Sequence, residues 1–301
     1  MKSKTKKIIN SILDLSNFDN SSWQEELDYN GYVVIRNSYY MKKNLNTLRR
    51  KSIELIKNEG DKGGWEGKEK YFKNGKKFES GAQRLGGLIK KDKLFLGLIT
   101  IPEILMSAYH VIKDDIKICG LNLRNPIEGS GEQSIHFDGF PRKNLSDSFA
   151  GVVAFIYLDS ANIENGAMRL IPKTHKFLGW PDDHIDINKK QSNEVRVEVD
   201  AGTIVIANLN LWHAGAKNIN GKSRKVIMMN IKNRKYDQLL NYKKYLGEKF
   251  IKNLSDDQKY LLSVRKEDKD QVIESGGSAN QLRREYFNSK RKKFSSVANN
   301  Q

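Results

Sequence analysis

The chain has a single cysteine, Cys119, among 301 residues, so no intrachain disulfide can form and a reducing compartment is the simplest address. Nor does any apolar run approach the roughly 18 to 20 residues that span a bilayer, and no transmembrane helix is expected. The basic N-terminus begins like a secretion signal, but Asn10, Ser11 and Asp14 interrupt its apolar stretch and no small-residue cleavage site follows. A cytoplasmic protein is the expectation. Internal repeats are missing, and the basic residues are not interleaved with aromatics as a groove for single-stranded nucleic acid requires. Acidic residues are in deficit: 53 Lys and Arg against 36 Asp and Glu leave a formal charge of +17. Such a surface attracts polyanions, acidic membranes and anionic small molecules alike. The excess is mostly lysine spread along the whole chain, which reads chiefly as solvated surface.

What is present is an ordinary globular composition, 38% hydrophobic and 30% charged, in a chain long enough for one large domain. Ser22 and Glu25 have capping-box spacing ahead of a short helix over 22–30, which Gly31 ends before the apolar run Tyr32-Val33-Val34-Ile35. Helical periodicity returns over 42–58 and 93–112. Between them, the glycine-rich, charged segment 59–81 reads as a long loop or flap. From about 116 the pattern changes to short β-like runs: 116–123, 135–137, 152–158, 168–171, 195–199, 203–207 and 226–231. Short strands without βαβ periodicity predict a mainly β jelly roll or barrel with flanking helices. After 238 helical signals resume, with Ser255 and Gln258 again in capping-box spacing. The expected organisation is one domain over 1–275. Within it lie a helix-and-strand segment (1–115), a β core (116–235) and C-terminal helices (236–275); a polar, basic, partly disordered tail follows over 276–301.

The sequence Ser134-Ile135-His136-Phe137-Asp138 sets an imidazole and a carboxylate two residues apart on a predicted strand, where both leave one face and can meet one cation. In a chain with five histidines a chance His-x-Asp on a surface turn is an equally ordinary source of that pair. A third ligand candidate is His213, at the end of the buried-looking run that starts at Thr203. Two histidines and one carboxylate form a facial set that leaves positions open on iron, whereas a structural zinc site closes itself. Arg224 lies eleven residues beyond His213, at the start of the next predicted strand, where its guanidinium could clamp a carboxylate or serve as a plain strand-end cation. His175 rivals His213 by spacing alone, but a strand-borne ligand is the more rigidly placed. His110 and His184 read as structural or surface residues. Phe140, Arg142 and Lys143 directly follow the His-x-Asp and could face a substrate; Phe137 should point the other way, into the core.

Taken together these segments resemble the phytanoyl-CoA dioxygenase family. The resemblance covers most of residues 26–265. It rests on Asn30-Gly31-Tyr32-Val33-Val34, His136-Phe137-Asp138, the run from Asn165-Gly166-Ala167-Met168 to Pro172-Lys173-Thr174-His175-Lys176, Trp212-His213-Ala214-Gly215, and Arg224. It implies a double-stranded β-helix (jelly-roll, cupin-like) core, with Fe(II) held by His136, Asp138 and His213. Arg224 is then the residue that binds the co-substrate 2-oxoglutarate, with O2 as the second co-substrate. Asn122 and Gln133 resemble positions that contact 2-oxoglutarate in relatives. The residue two after the distal histidine is often a hydroxyl that helps hold the co-substrate; Gly215 stands there, so that contact is lost or supplied elsewhere.

The implied activity is hydroxylation of an unactivated C–H bond of a small molecule, or desaturation or ring chemistry by the same oxidant, with succinate and CO2 as co-products and Asp138 arguing against halogenation. An anionic or carrier-linked substrate follows from the basic balance. The alternative is a basic protein that binds nucleic acid or another polyanion on a β-helix scaffold with a vestigial metal site. A zinc hydrolase with the same ligands ranks below both, since no paired acid suits a general base. Substrate loops are expected at 60–90, 139–149 and 178–194, and oligomeric state is not legible.

Overall fold

The computed structural model describes residues 3–13, 22–59, 82–238 and 240–269. All of the expected flap over 59–81 except Glu59, and the expected tail over 276–301, lie outside these residues. Helix α1 spans Lys4–Leu13 and α2 spans Trp23–Asn30; Gly31, at φ +84°, ends α2 and turns the chain into strand β1, Tyr32–Ile35. The start of α2 differs from expectation, because Ser22 makes no side-chain cap bond there. Helix α3 runs over Tyr39–Glu59. The segment 93–112, expected as one helix, is a 3-10 helix (Lys93–Thr100) followed by an α-helix (Pro102–Ile112), bent by 47°. Pro102 supplies the reason: it has no N–H for the preceding turn and starts a new helix well. Both pieces are packed into the core, and among the described residues no single helix is long and apolar enough to cross a membrane.

The remaining strands are β2 (Ala82–Leu85), β3 (Ile116–Pro126), β4 (Gly151–Tyr157), β5 (Met168–Leu170), β6 (Val195–Val197), β7 (Ile204–Asn208), β8 (His213–Ala214) and β9 (Val226–Asn233). They form an antiparallel six-stranded sheet in the order β1-β7-β4-β9-β3-β2 and a three-stranded sheet in the order β6-β5-β8. This is the expected mainly β core with flanking helices, a double-stranded β-helix made of two facing sheets. The described part of the expected 60–90 substrate loop, from residue 82 on, gives the edge strand β2 and the start of a short helix, Leu88–Lys91, anchored by the buried Leu85, Leu88 and Ile89. After the sheets come three short helices between Tyr242 and Leu262, the last closed by the reciprocal Ser255–Gln258 cap expected from sequence.

Strand alternation divides the molecule into two cores. One face of the large sheet (Ile156, Ile204, Ile206, Ile227, Met229 and Ile231) packs against Leu98, Ile104, Leu105 and Leu261 of the helices. The other face (Val153, Phe155, Tyr157, Val205, Ala207 and Val226) packs against Met168, Leu170 and Val197 of the small sheet. Along β3 that alternation is broken once. Ile118 pairs with Ile231 but Gly120 pairs with Asn230, so Cys119 is an extra residue, a β-bulge. Before the bulge the even-numbered Ile116 and Ile118 face the helices, and after it the odd-numbered Leu121 and Leu123 do. The shift by one residue turns Asn122 and Arg124 toward the small sheet.

Gly151, at the start of β4, has no room for a side chain: a Cβ there would lie 1.9 Å from the carbonyl oxygen of Ile231 on the neighbouring β9. Gly151→Ala is expected to destabilise the fold by about 2–4 kcal/mol through forced separation of two central strands. Urea unfolding checks this, and a midpoint equal to that of the parent chain would refute the packing argument.

Candidate metal and co-substrate site

His136 and His213 face each other across a two-residue antiparallel bridge. The His136 N–H donates to the His213 carbonyl at 3.0 Å and the His213 N–H donates back to the His136 carbonyl at 2.8 Å. Directly opposed residues of an antiparallel pair send their side chains from the same face, and Asp138, two residues on from His136, is placed to do likewise. The imidazole centroids are 4.6 Å apart, and one ligand atom from each of His136, Asp138 and His213 lies within 4.8 Å of the other two. His213 Nε2 is 3.8 Å from Asp138 Oδ2.

The segments carrying these ligands differ from the expected strands. Residues 135–137 contribute only that bridge, and the run from Thr203 to His213 is not one strand. It leaves the large sheet after Asn208, turns through 209–212, and enters the small sheet as β8. The Leu211 N–H bonds the Asn208 carbonyl, the Asn210 N–H bonds the Asn208 side chain, and the Asn210 side chain holds the Phe140 carbonyl.

Both imidazoles are oriented by their own chains. His136 Nδ1 lies 2.9 Å from the Ser134 carbonyl, and His213 Nδ1 lies 3.0 Å from the Leu211 carbonyl. A carbonyl oxygen only accepts, so each Nδ1 carries the proton and each Nε2 keeps its lone pair for a cation. Phe155 of β4 meets the His213 ring edge to face at 5.6 Å. Two neutral imidazole nitrogens and one carboxylate suit iron(II) and cover only part of its coordination sphere.

Arg224 is buried, and its backbone and Nε are held by the Asn125 side chain and the Asn165 carbonyl. Its Nη2 is buried and bonds to no described residue. Burial pulls the guanidinium pKa down to about 10; Tyr157 opposes the shift and the nearby Arg124 adds to it, and the group stays cationic at neutral pH. A buried cation with an unused donor fits a carboxylate ligand. The Asn165-Gly166 turn carries the carbonyl that holds Nε, and it is tight: at Gly166 (φ +88°) a Cβ would lie 2.6 Å from the Ala216 carbonyl.

Gly215 lies two residues beyond His213. Its N–H donates to Gln133 Oε1 at 2.9 Å, and a Cβ at 215 would come within 2.7 Å of the Gly131 carbonyl, 2.8 Å of Gln133 Oε1 and 3.1 Å of Arg124 Nη1. A hydroxyl-bearing residue at this position would displace the Gln133 amide, so Gln133 and Arg124 occupy its space. The Gln133 carbonyl is fixed in turn by Arg169, which also pairs with Glu194. Asn122 accepts the Gly87 N–H, tying the site face of β3 to the segment after β2.

Two expected substrate residues separate in the fold. Phe140 stacks on Tyr236 at 5.4 Å beside the site. Arg142 is buried and commits its guanidinium to the Asp147 and Leu145 carbonyls and the Phe149 ring, which makes it the brace of its own loop. Phe137 points away from the ligands and stacks on Trp180 at 4.9 Å, as expected of a core residue. His110 pairs with Asp28, and His184 reaches the Leu178 carbonyl. Arg124 was not singled out from the sequence, because nothing in the residue pattern marks the bulge that turns it inward.

Residues 27–226 match the sequence profile of the family described as phytanoyl-CoA dioxygenase (PhyH). The chain belongs to that family. All three metal-ligand candidates and Arg224 fall within the span matched to the phytanoyl-CoA dioxygenase profile. An uncharacterized protein of Mycobacterium tuberculosis is 28% identical over 195 residues, covering 62% of this chain and 66% of its own length, just under two thirds. Among solved structures, HygX from Streptomyces hygroscopicus with nickel and 2-oxoglutarate bound has a TM-score of 0.58 at 13% identity, covering 74% of this chain and 90% of its own. The non-heme alpha ketoglutarate dependent carbocyclase SnoK from nogalamycin biosynthesis has a TM-score of 0.53 at 16% identity, covering 72% and 85%. These two likenesses are of fold.

His175, the rival ligand by spacing, takes no part in the metal set. It is buried against Gly31, where a Cβ would lie 2.4 Å from its Nδ1, and its Nε2 is 3.2 Å from the Asp28 carbonyl. It thereby latches the end of α2 to the loop after β5. Burial holds its pKa down at about 4, so the folded chain keeps it neutral where the unfolded chain, near 6.5, takes up a proton. Its contribution is complete above pH 6.5 and is lost progressively as pH falls toward 4, up to about 3 kcal/mol. Urea titrations between pH 7 and 4 should show this slope in the parent chain and not in His175→Gln; equal slopes would sink the assignment.

Proposed function

We propose that this protein is an iron(II)- and 2-oxoglutarate-dependent oxygenase that hydroxylates a C–H bond of a small-molecule substrate. The observation that carries the reading is the pairing of a two-histidine, one-carboxylate face with a buried arginine donor that no described residue uses. His136, Asp138 and His213 would hold the metal, and Arg224 the far carboxylate of 2-oxoglutarate. When bound, iron(II) supplies the oxidation, in which O2 is consumed, 2-oxoglutarate becomes succinate and CO2, and one oxygen atom enters the substrate.

The protein's own part is placement. The carbonyls of Ser134 and Leu211 keep both imidazoles in the ligating tautomer, and Phe155 restricts the tilt of His213. Arg224 gives the co-substrate one orientation, with burial strengthening the ion pair. Gln133, held on Gly215, takes the place of the hydroxyl expected from the resemblance, and Asn122 lies on the same face one register row along. The Trp180 segment closes one side of the ligand loop, where the Ile135 N–H bonds the Ile187 carbonyl, and limits entry of water. One domain over 1–275 and a cytoplasmic address, with Cys119 buried and free, remain part of this reading.

Anaerobic addition of iron(II) and then 2-oxoglutarate should give the weak visible charge-transfer absorption of the chelated co-substrate, and His213→Ala should abolish it. Arg224→Gln should keep the metal and weaken 2-oxoglutarate roughly 10- to 100-fold, the loss of one charge-assisted contact. Absence of the absorption in the parent chain, with tight and steeply salt-dependent polyanion binding in its place, would favour the nucleic-acid reading instead.

A further inference from the structure

Strand β9 lies in the interior of the large sheet, between β4 and β3, yet Met228 and Asn230 are only half-buried while the other residues of the strand are buried. Side chains in mid-sheet reach solvent only where the facing layer stands off, so an open space lies over this part of the strand on the side of the small sheet. The pairing registers give its long axis as successive rows across β3, β9 and β4. The rows are Arg124, Val226 and Tyr157; then Asn122, Met228 and Phe155; then Gly120, Asn230 and Val153; then Lys117, Lys232 and Gly151. Arg224 stands just before the first row, and Phe155 of the second touches His213. Beyond the metal level, away from Arg224, come Asn230, between a glycine and a valine, and then Lys232. From the Met228 row to the Lys232 row is about 13 Å of strand.

Lys232 is only 4% exposed, and among the described residues its ammonium has no carboxylate and no hydrogen-bond acceptor. The ammonium lies over the face of Phe140, 5.1 Å from Nζ to the ring centroid, and Phe140 is two residues past Asp138. The stem is buried, but Nζ is not among the buried atoms that lack a partner, so the charged tip itself reaches the open space over the strand. The neighbourhood adds positive charge, because Lys117 stands directly opposite Lys232 across the β3–β9 ladder. The nearby acids lie elsewhere: Asp237 and Asp268 act on Lys117, and Asp268 is bonded by Arg234 and Arg265. The Asn230 amide likewise makes no side-chain hydrogen bond to any described residue.

We propose that Asn230 and Lys232 form the substrate-recognition element of the site, and that the substrate carries an oxyanion (carboxylate, phosphate or sulfate) that pairs with the Lys232 ammonium. Asn230 hydrogen-bonds the part of the substrate between the anion and the reacting carbon, and the Phe140–Tyr236 stack lines the far end. This assignment rests on the oxygenase reading, which defines the metal level, and it turns the overall positive charge into one addressed residue.

The test is isothermal titration of the full-length chain, saturated with 2-oxoglutarate so that Arg224 is occupied, using phenyl phosphate and its neutral counterpart phenol. The parent chain should prefer phenyl phosphate by about tenfold or more. Lys232→Met, which keeps the apolar stem, should remove that preference, and Lys232→Arg should retain it, with melting temperatures confirming that both variants fold. An undiminished preference in folded Lys232→Met, or no preference in the parent chain, would overturn the assignment. Loss of the preference in both variants would also overturn it, since charge would not then be the cause. The 2-oxoglutarate titration is read separately: a parent chain that does not bind it fails the oxygenase reading, and the phenyl phosphate comparison still reports on Lys232.

Discussion

The pair of reciprocal main-chain hydrogen bonds between His136 and His213 governs this molecule. One partner comes from a loop with almost no regular structure, the other from a two-residue strand, and neither segment alone fixes the direction of its side chain. Pairing does, because opposed residues in an antiparallel bridge must present the same face. Asp138 then follows from its position two residues along. Much of the surrounding structure serves to hold the two backbones in register. The turn at 209–212 brings the chain across from the large sheet, Gln133 and Gly215 extend the pairing on one side, and Thr174 receives the Trp212 N–H on the other.

A second constraint is charge inside a low-dielectric space. Arg124, Arg224 and Lys232 are all buried on the same side of the large sheet, and burying cations is unfavourable unless anions answer them. Structural arginines in this protein show what an answered cation looks like: Arg169 has Glu194 and a carbonyl, and Arg142 has two carbonyls and an aromatic face. Arg169 too leaves its Nε unused, but Arg224 differs in having no carboxylate among the described residues and in bonding through Nε alone, and Lys232 in having only a ring. That contrast is what supports the proposed ligand-binding roles of Arg224 and Lys232.

The candidate ligand set was legible from the sequence because strand alternation and the order of motifs are local or linear properties. The side chains of His136, Asp138 and His213 lie together, whereas the sheet reaches beyond the expected 116–235 core, because β1 and β2 of the N-terminal segment form its two edges. What was not legible depends on breaks in regularity. The apolar run up to His213 gives no sign that it changes sheets after Asn208, since both pieces are buried and read alike. Arg142 looks like a reaching cation until the loop that folds around it is seen. Asn122 was identified through the family resemblance, while Arg124, on the same face, was passed over because the bulge has no residue signature. Lys232 lies on an alternating face with Met228 and Asn230, a period-two signal that was available but is masked by the apolar residues between them.

The bulge at Cys119 carries a consequence for how this chain can vary. Upstream of it the even positions of β3 belong to the helix-side core, and downstream the odd positions do. The strand therefore behaves like text with a frameshift in it. Exchanging one side chain for another changes a single letter, but removing or adding one residue between Ile116 and Asn122 would drive Leu121 and Leu123 into the polar chamber and press an asparagine and an arginine into the oil beneath the helices. In this strand, length is guarded more strictly than spelling.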